Sequence, residues 1–194
     1  MKPHCLFLMF FLCIRLVFGQ TSVFYDTTII KNYTCCSIQF CIDEANRYTI
    51  HWYNDTMSNV SVNDFFVLND GVLDIAGTNN KYVVLLQNSG QKTKYSVLLP
   101  IRVNASETIY ENVIGYDDIN NNLLFISDMP DRDSLYVVIF NLDSEEKRTI
   151  VIPDICSAVN QLECLDDINY QKGKIDICYY GKDDNTLQNI EIRL

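Results

Sequence analysis

Histidine is almost absent from this chain of 194 residues, which contains only His4 and His51. Nucleophilic triads, Cys–His pairs and most catalytic zinc sites depend on an imidazole, and the sequence has no GxSxG, GxGxxG or P-loop motif. His51 lies in an alternating run that places it opposite Ile50 and Trp52, which is typical of a half-exposed strand residue. The sequence therefore predicts a protein that is not an enzyme and carries no cofactor.

Basic residues are also scarce, with 15 lysines and arginines against 25 aspartates and glutamates. Lys2 and Arg15 belong to the N-terminal segment considered next, so the remainder has 13 basic and 25 acidic residues and a net charge of −12. Nucleic acids and anionic membranes bind basic surfaces. Both are therefore excluded as expected partners.

Only one stretch is long and apolar, and it lies at the N-terminus from Cys5 to Phe18. It follows Lys2 and contains Arg15, and at about 14 residues it is shorter than the roughly 20 that a membrane span needs. A short positive start followed by an apolar centre is typical of a secretory signal peptide. We expect a signal peptide at residues 1–19 and one secreted, extracellular domain at residues 20–194.

Six cysteines lie outside the expected signal peptide: Cys35, Cys36, Cys41, Cys156, Cys164 and Cys178. An even number in an exported chain predicts up to three disulfides, for which fifteen pairings exist. A bridge between the adjacent Cys35 and Cys36 would strain the backbone, so each is expected to pair elsewhere. Because three cysteines lie near each end of the chain, some bridges are expected to tie the ends together. A metal site is not predicted, since the chain has no CxxC motif.

Four Asn-x-Ser/Thr sequons fit an exported chain, and their acceptors are Asn32, Asn54, Asn59 and Asn104. Several of these four acceptors are predicted to carry a glycan, and the sequence leaves open which ones. An acceptor that is used lies in an exposed loop or at a strand edge, because a glycan needs solvent around it.

Short runs of β-branched and aromatic residues, bounded by Asn, Asp, Gly, Ser or Pro, predict strands. The clearest runs cover residues 48–53, 82–86, 95–99, 123–126, 135–140, 149–152, 175–179 and 187–192. Helical spacing is found only after Asp154, at Ile155, Val159 and Leu162, where a loop pinned by the flanking cysteines is equally consistent. The expected fold class is all-β.

An internal repeat narrows the choice among all-β folds. The motif Tyr116–Asn120, followed by two strands, returns at Leu165–Asn169 after 49 residues, and weaker copies begin near Leu68 and Cys41. A period of this length with several strands per unit is typical of propeller blades. We expect a β-propeller-like array of about four four-stranded antiparallel blades, with a β-sandwich as the alternative. The low glycine count of 7 argues against a WD-type propeller.

The segments Ile114–Asp117, Asn122–Ser127 and Phe140–Asp143 together resemble a repeat of the insect ommochrome-binding proteins. Those are secreted haemolymph proteins that carry a tryptophan-derived pigment. The resemblance covers residues 110–194 better than the first half of the chain. It implies a secreted carrier of a small aromatic pigment.

Acidic residues offer two further kinds of site. The pairs Asp117/Asp118 and Asp166/Asp167 could serve glycoside hydrolysis, but their recurrence in the repeat favours turn capping. Asp128–Ser134 contains three carboxylates but lacks the glycine and the distal glutamate of a calcium loop. A solvated hairpin turn is the simpler interpretation.

The 12 tyrosines and 10 phenylalanines favour binding, since aromatic rings provide broad contact area. The cluster His51, Trp52 and Tyr53 is the candidate ligand-binding site, although for Trp52 itself a core anchor is the favoured interpretation. We rank a non-catalytic carrier of a small aromatic ligand or pigment first. A secreted protein-interaction factor, such as a salivary, venom or immune-modulating protein, comes second. A glycosidase or calcium-dependent hydrolase comes third.

Overall fold

The fold is all-β, as predicted. The computed structural model describes residues 27–68, 71–87, 94–127, 133–156, 158, 161–171, 173–182 and 186–194. Within these ranges the chain forms fifteen strands and one short 3₁₀ helix. The elements are β1 (Thr27–Asn32), β2 (Ser37–Ile42), β3 (Arg47–Tyr53), β4 (Ser58–Val60), β5 (Phe65–Phe66), β6 (Asp74–Thr78), β7 (Tyr82–Leu86), β8 (Lys94–Pro100), β9 (Thr108–Asp117), β10 (Asn122–Ser127), β11 (Ser134–Asn141), β12 (Glu146–Pro153), the 3₁₀ helix Gln161–Cys164, β13 (Leu165–Gln171), β14 (Lys174–Tyr180) and β15 (Leu187–Arg193).

The strands form three antiparallel sheets. Sheet 1 contains β1 to β5, sheet 2 contains β6 to β12, and sheet 3 contains β13 to β15. Within each sheet, every strand pairs with the strands next to it in sequence, except β5, which pairs with β3. Such meanders form from local hairpins, so the turn signals between the apolar runs are sufficient to specify them.

Strand β9 divides sheet 2 into two halves. Its first part pairs with β8, where Leu98 lies opposite Thr108, and its second part pairs with β10, where Asn122 lies opposite Asp117. The change of partner coincides with Asn112, whose φ of 54° lies in the left-handed region that asparagine tolerates better than most residues. Across this bend the ring of Tyr110 lies 5.0 Å from that of Phe125. The two halves therefore face each other.

Three hydrophobic cores lie between successive groups of strands. The first joins sheet 1 to β7 and β8, the second joins the two halves of sheet 2, and the third joins β10 to β12 with sheet 3. Strand β7 is buried on both faces, because Val83 and Leu85 belong to the first core whereas Val84 belongs to the second. A sheet buried on both faces requires continuous apolar runs, which explains the sequence of β7 and β8.

The first strands of these groups lie side by side. The Lys31 ammonium of β1 donates a hydrogen bond to the Asp74 carboxylate of β6 at 2.8 Å. A Cβ atom at Gly77 of β6 would lie 2.2 Å from the ring of Tyr116 in β9, and one at Gly115 would lie 3.4 Å from the ring of Tyr170 in β13. These first strands therefore lie next to one another in space: β1 beside β6, β6 beside β9, and β9 beside β13.

The repeated motif does not occupy equivalent positions in its two clearest copies. Tyr116–Asn120 covers the end of β9 and the following turn, whereas Leu165–Asn169 lies within β13. The hairpin equivalent to the turn before Asn122 is the one between Gln171 and Lys174. The 49-residue register is therefore wrong by several residues, although it marks two successive meanders.

The connection from sheet 2 to sheet 3 contains the only helical segment of the described residues. The 3₁₀ helix begins later than the predicted spacing, at Gln161, and it ends at Cys164, which is bridged to Cys156. Val159 lies outside the described residues. In the described part of the chain, no helix is both long and apolar enough to cross a membrane.

Candidate binding groove

An open groove of about 440 Å³ lies where sheet 1 meets the first half of sheet 2. Its apolar surface comes from Phe65, Tyr95 and Ile109. Its polar surface comes from Asn63, Asp64, Gln87, Lys94, Glu111 and Asn112. Small-molecule sites usually combine an apolar lining with a few polar groups in a cleft of roughly 300–1,000 Å³. The groove has the size of such a site, and six of its nine lining residues are polar or charged.

The apolar lining is anchored in the first core. Phe65 is only 5% exposed and stacks on Tyr48 with 5.6 Å between ring centroids, and Tyr95 packs against the same core. Ile109 of β9 is 40% exposed. Two fixed rings and one accessible aliphatic side chain therefore give the groove a preformed apolar surface.

A buried carboxylate holds the wall contributed by sheet 1. Glu107 accepts hydrogen bonds from the backbone N–H of Val62 at 3.0 Å and from the backbone N–H and side-chain amide of Asn63, both at 2.8 Å. Burial opposes ionisation, but these hydrogen bonds together outweigh it and lower the pKa of Glu107 below its ordinary value. No sequence pattern pointed to Glu107, because its hydrogen-bond partners lie more than forty positions away.

Asp64, Lys94 and Glu111 are the charged residues of the lining. Within the described ranges, no hydrogen bond or ion pair engages the side chain of Lys94 or Glu111. Asn112 lines the groove at the bend of β9. The change of strand partner that bends sheet 2 therefore also shapes the groove.

The predicted cluster of His51, Trp52 and Tyr53 is divided between the two faces of β3. Trp52 is 0% exposed and its indole N–H donates to the Pro100 carbonyl at 2.9 Å, so this ring serves as a core anchor and is out of reach of a ligand. His51 and Tyr53 are half-buried on the opposite face. Burial lowers the pKa of His51, which keeps the ring neutral at pH 7. The three residues do not form one site.

The four predicted glycan acceptors differ in exposure. Asn32 and Asn104 are exposed, and Asn54 is half-buried with its amide donating to the Cys35 carbonyl at 3.0 Å. Asn59 is only 6% exposed, and its amide nitrogen donates to the Arg102 carbonyl at 2.8 Å. A glycan would be attached to that nitrogen, so the burial of Asn59 opposes glycosylation at this position in the folded chain.

Among the cysteines that the structure describes, one disulfide is formed, Cys156–Cys164, with Cα atoms 5.5 Å apart. Cys35, Cys36, Cys41 and Cys178 are free thiols. The structure thus differs from the expectation of bridges between the two ends of the chain, because the disulfide is local. The early cysteines lie in or beside sheet 1 and Cys178 lies in sheet 3. These two sheets pack in different cores, so the cysteines near the two ends of the chain do not meet.

The acidic pairs have unequal surroundings. Asp117 is fully buried and caps the turn after β9, accepting from the Ile119 N–H at 3.2 Å and the Asn120 amide at 2.8 Å. Asp166 lies in β13 and accepts from the Tyr180 hydroxyl at 3.0 Å. Turn capping therefore holds for Asp117 and not for Asp166.

The predicted calcium segment falls largely on residues 128–132, which lie outside the described residues. Its last acid, Asp133, pairs with Lys182. Among the described residues, no three His, Cys, Asp or Glu side chains are grouped closely enough to hold a metal ion. Comparison of the chain with protein-family models, curated proteins and solved structures finds no match.

Proposed function

We propose that this chain is a secreted, β-propeller-like protein that holds a small aromatic ligand in the groove and catalyses no reaction. The observation that carries the proposal is the groove itself, in which Phe65, Tyr95 and Ile109 form an apolar surface. The charged residues beside it are Asp64, Lys94 and Glu111. A planar ring would bury its faces against the apolar side chains. A polar substituent would remain at the rim, where Lys94 suits a carboxylate.

A propeller-like arrangement is supported by the order of the strands. Four successive meanders begin at β1, β6, the second part of β9, and β13, and these first strands are neighbours. Each pair of successive meanders encloses one core. Blades of a propeller are stabilised by the same face-to-face burial between neighbours.

The nature of the ligand follows from the resemblance to ommochrome-binding proteins. A tryptophan-derived pigment combines a flat aromatic system with polar substituents, which matches an apolar lining with charges at one edge. Export is supported by the N-terminal apolar segment and by the disulfide, since disulfides persist in oxidising compartments.

The first test is native mass spectrometry with an ultraviolet–visible spectrum on deglycosylated protein from its natural source. We expect a stoichiometric excess mass of a small molecule, or absorbance beyond the aromatic band. Purified protein is then titrated with an ommochrome pigment. A bare mass combined with a titration that does not saturate would exclude the carrier function.

A matched pair of variants locates the ligand. Ile109→Asp introduces a charge into the groove at a side chain that is 40% exposed, whereas Val151→Asp introduces one on β12 at a side chain that is 49% exposed. We expect Ile109→Asp to weaken pigment binding at least tenfold, because a buried carboxylate costs more than about 1.4 kcal/mol. Val151→Asp should leave it unchanged. Equal effects of the two variants would place the ligand elsewhere.

The outer face of sheet 1 favours a second candidate, a protein-interaction factor. Ile30, Gln39, His51 and Val60 lie directly opposite one another across β1 to β4. This row is uncharged in a strongly acidic chain, and Ile30 and Val60 are 52% and 50% exposed. Uncharged, partly apolar surfaces are typical of interface centres.

The double variant Ile30→Asp, Val60→Asp tests this second candidate. Chemical cross-linking in the native fluid should join the wild-type chain to an extracellular protein, and the double variant should lose that product. If Ile109→Asp abolished the cross-linked product and the double variant did not, the interface would lie at the groove. The same product from all variants would exclude the sheet 1 face.

A further inference from the structure

The two adjacent thiols of the β1–β2 turn are in contact. The sulfur atoms of Cys35 and Cys36 lie 3.7 Å apart. Cys36 is 3% exposed in the first core, and Cys35 packs against the same core from a half-buried position. Both side chains therefore point to the same side of the turn.

Strand alternation separates this pair from the remaining thiols. Side chains of successive strand residues point to opposite faces. Cys36, Ile38 and Phe40 belong to the first core, whereas Cys41 pairs with Thr28 and Thr49 on the outer face of sheet 1. Cys178 lies on β14 of sheet 3. The nearest disulfide partner that the fold offers to Cys35 or Cys36 is the other member of the pair.

We propose that Cys35 and Cys36 form a reversible vicinal disulfide, with a low-molecular-weight disulfide such as glutathione disulfide as the oxidant. The Cys35 thiolate attacks the oxidant, which forms a mixed disulfide and releases one glutathione thiolate. Cys36 then gives its proton to solvent and attacks the Cys35 sulfur, which releases the second glutathione. Two thiols and one glutathione disulfide thus become one protein disulfide and two glutathione molecules. This proposal is independent of the binding function.

The surroundings of the two thiols set the order of these steps. Burial is the main cause that raises the pKa of Cys36 to about 12, followed by the charge of Cys35 and its hydrogen bond. Cys35 is the more exposed thiol and therefore the one that meets the oxidant first. Conversion of Cys35 to a mixed disulfide removes its charge, which makes ionisation of Cys36 easier in the closing step.

A disulfide between Cys35 and Cys36 would be strained by the geometry of this turn, and the strain makes the disulfide easy to reduce. The Cys35 carbonyl accepts from the Asn54 amide at 3.0 Å, and the Cys36 carbonyl accepts from the Tyr33 N–H at 3.1 Å. Adjacent Cα atoms lie about 3.8 Å apart, below the usual range of about 4.4–6.8 Å for bridged cysteines. Strained disulfides are the readily reduced ones. Cys156–Cys164, at 5.5 Å, lies within the usual range.

The test is a redox titration of the folded protein in glutathione buffers, with acid quenching and alkylation of the remaining thiols. Chymotryptic cleavage after Tyr33 and Phe40 separates Cys35 and Cys36 from Cys41. We expect the peptide 34–40 to lose both alkyl groups as the buffer becomes oxidising and to regain them on return, in conditions that leave Cys156–Cys164 oxidised. Cys35→Ser and Cys36→Ser should each abolish the bridge, and Cys178→Ser should retain it.

Three results would overturn the proposal. The first is full alkylation of both cysteines at every glutathione ratio that preserves the far-ultraviolet circular dichroism spectrum. The second is recovery of either cysteine in a bridge to Cys41 or Cys178. The third is a glutathione adduct on Cys35 that never closes onto Cys36.

Discussion

The indole N–H of Trp52 in sheet 1 donates a 2.9 Å hydrogen bond to the carbonyl oxygen of Pro100 at the end of β8 in sheet 2. The ring is fully buried in the core that these two sheets share. The bond satisfies the only polar atom of the indole and also a carbonyl at a strand end. It therefore joins the two sheets, whereas the sequence favoured a core anchor at Trp52 without indicating its hydrogen-bond partner.

Trp52→Phe tests this connection. The variant removes the donor, leaves the Pro100 carbonyl without it and opens a small cavity, so we expect a loss of about 2–4 kcal/mol of unfolding free energy. Urea denaturation measures the loss. The control, Tyr53→Phe, alters a half-buried neighbour on the opposite face and should stay within about 0.5 kcal/mol. Similar losses for both variants would contradict the role given to Trp52.

Glu107→Gln tests the carboxylate that holds the groove wall. Because the pKa of Glu107 is lowered in the folded protein, its contribution is present above the ordinary value of 4.5 and is lost as the pH falls through the folded pKa. We expect the variant to lose about 1.5–3 kcal/mol at pH 7, and the difference from the wild type to shrink in acid. Denaturation at several pH values measures it.

Glu111→Gln is the matched control for this pH dependence, since Glu111 is an exposed carboxylate at the rim of the same groove. Its unfolding free energy at pH 7 should stay within about 0.5 kcal/mol of that of the wild type. A difference between the wild type and Glu107→Gln that remains constant from pH 7 to pH 3 would refute the charged hydrogen bonds.

Gly77→Ala tests the packing of the first strands. An added Cβ would meet the Tyr116 ring at 2.2 Å, whereas one at Gly115 would meet Tyr170 at 3.4 Å. We expect Gly77→Ala to cost about 1–3 kcal/mol through overpacking and Gly115→Ala to cost clearly less. Combining Gly77→Ala with Tyr116→Leu should recover part of the loss. If the two alanine variants were equally stable, β6 and β9 would not approach as described.

Glycan mapping tests the burial of Asn59. We expect enzymatic deglycosylation in heavy water to label Asn32 and Asn104, which are exposed, and to leave Asn59 unlabelled, because its amide nitrogen is bonded to the Arg102 carbonyl. The label is read by peptide mass spectrometry. A folded protein glycosylated at Asn59 would show that the contact between β4 and the turn after β8 is different.

Strand positions could be predicted from the sequence because they depend on local patterns. The apolar run 135–140 lies within β11, and the alternation around Ile50 correctly separates His51 from Trp52. The turn residues between runs were equally local signals. The repeat was less reliable, since Asp117 and Asp166 match in sequence but differ in position: Asp117 ends β9 and caps the next turn, whereas Asp166 lies near the start of β13.

The groove could not be predicted, because its parts come from distant segments. Phe65 and Ile109 share the lining although they are far apart in sequence, and Glu107 reaches back to Val62 and Asn63. The sequon at Asn59 fits the glycosylation pattern, yet tertiary packing buries it. No local pattern reports which polar side chain will find a distant backbone partner.

By itself, the sequence determined the all-β class and the approximate strands, since side-chain period and turn chemistry act over a few residues. The tertiary structure alone decided which carbonyl the Trp52 indole bonds, that Asn59 is buried and that Cys35 and Cys36 touch each other. Those outcomes depend on which sheet faces pack together. Face-to-face packing is set by contacts between residues that are distant along the chain, and these contacts leave no local trace in the sequence.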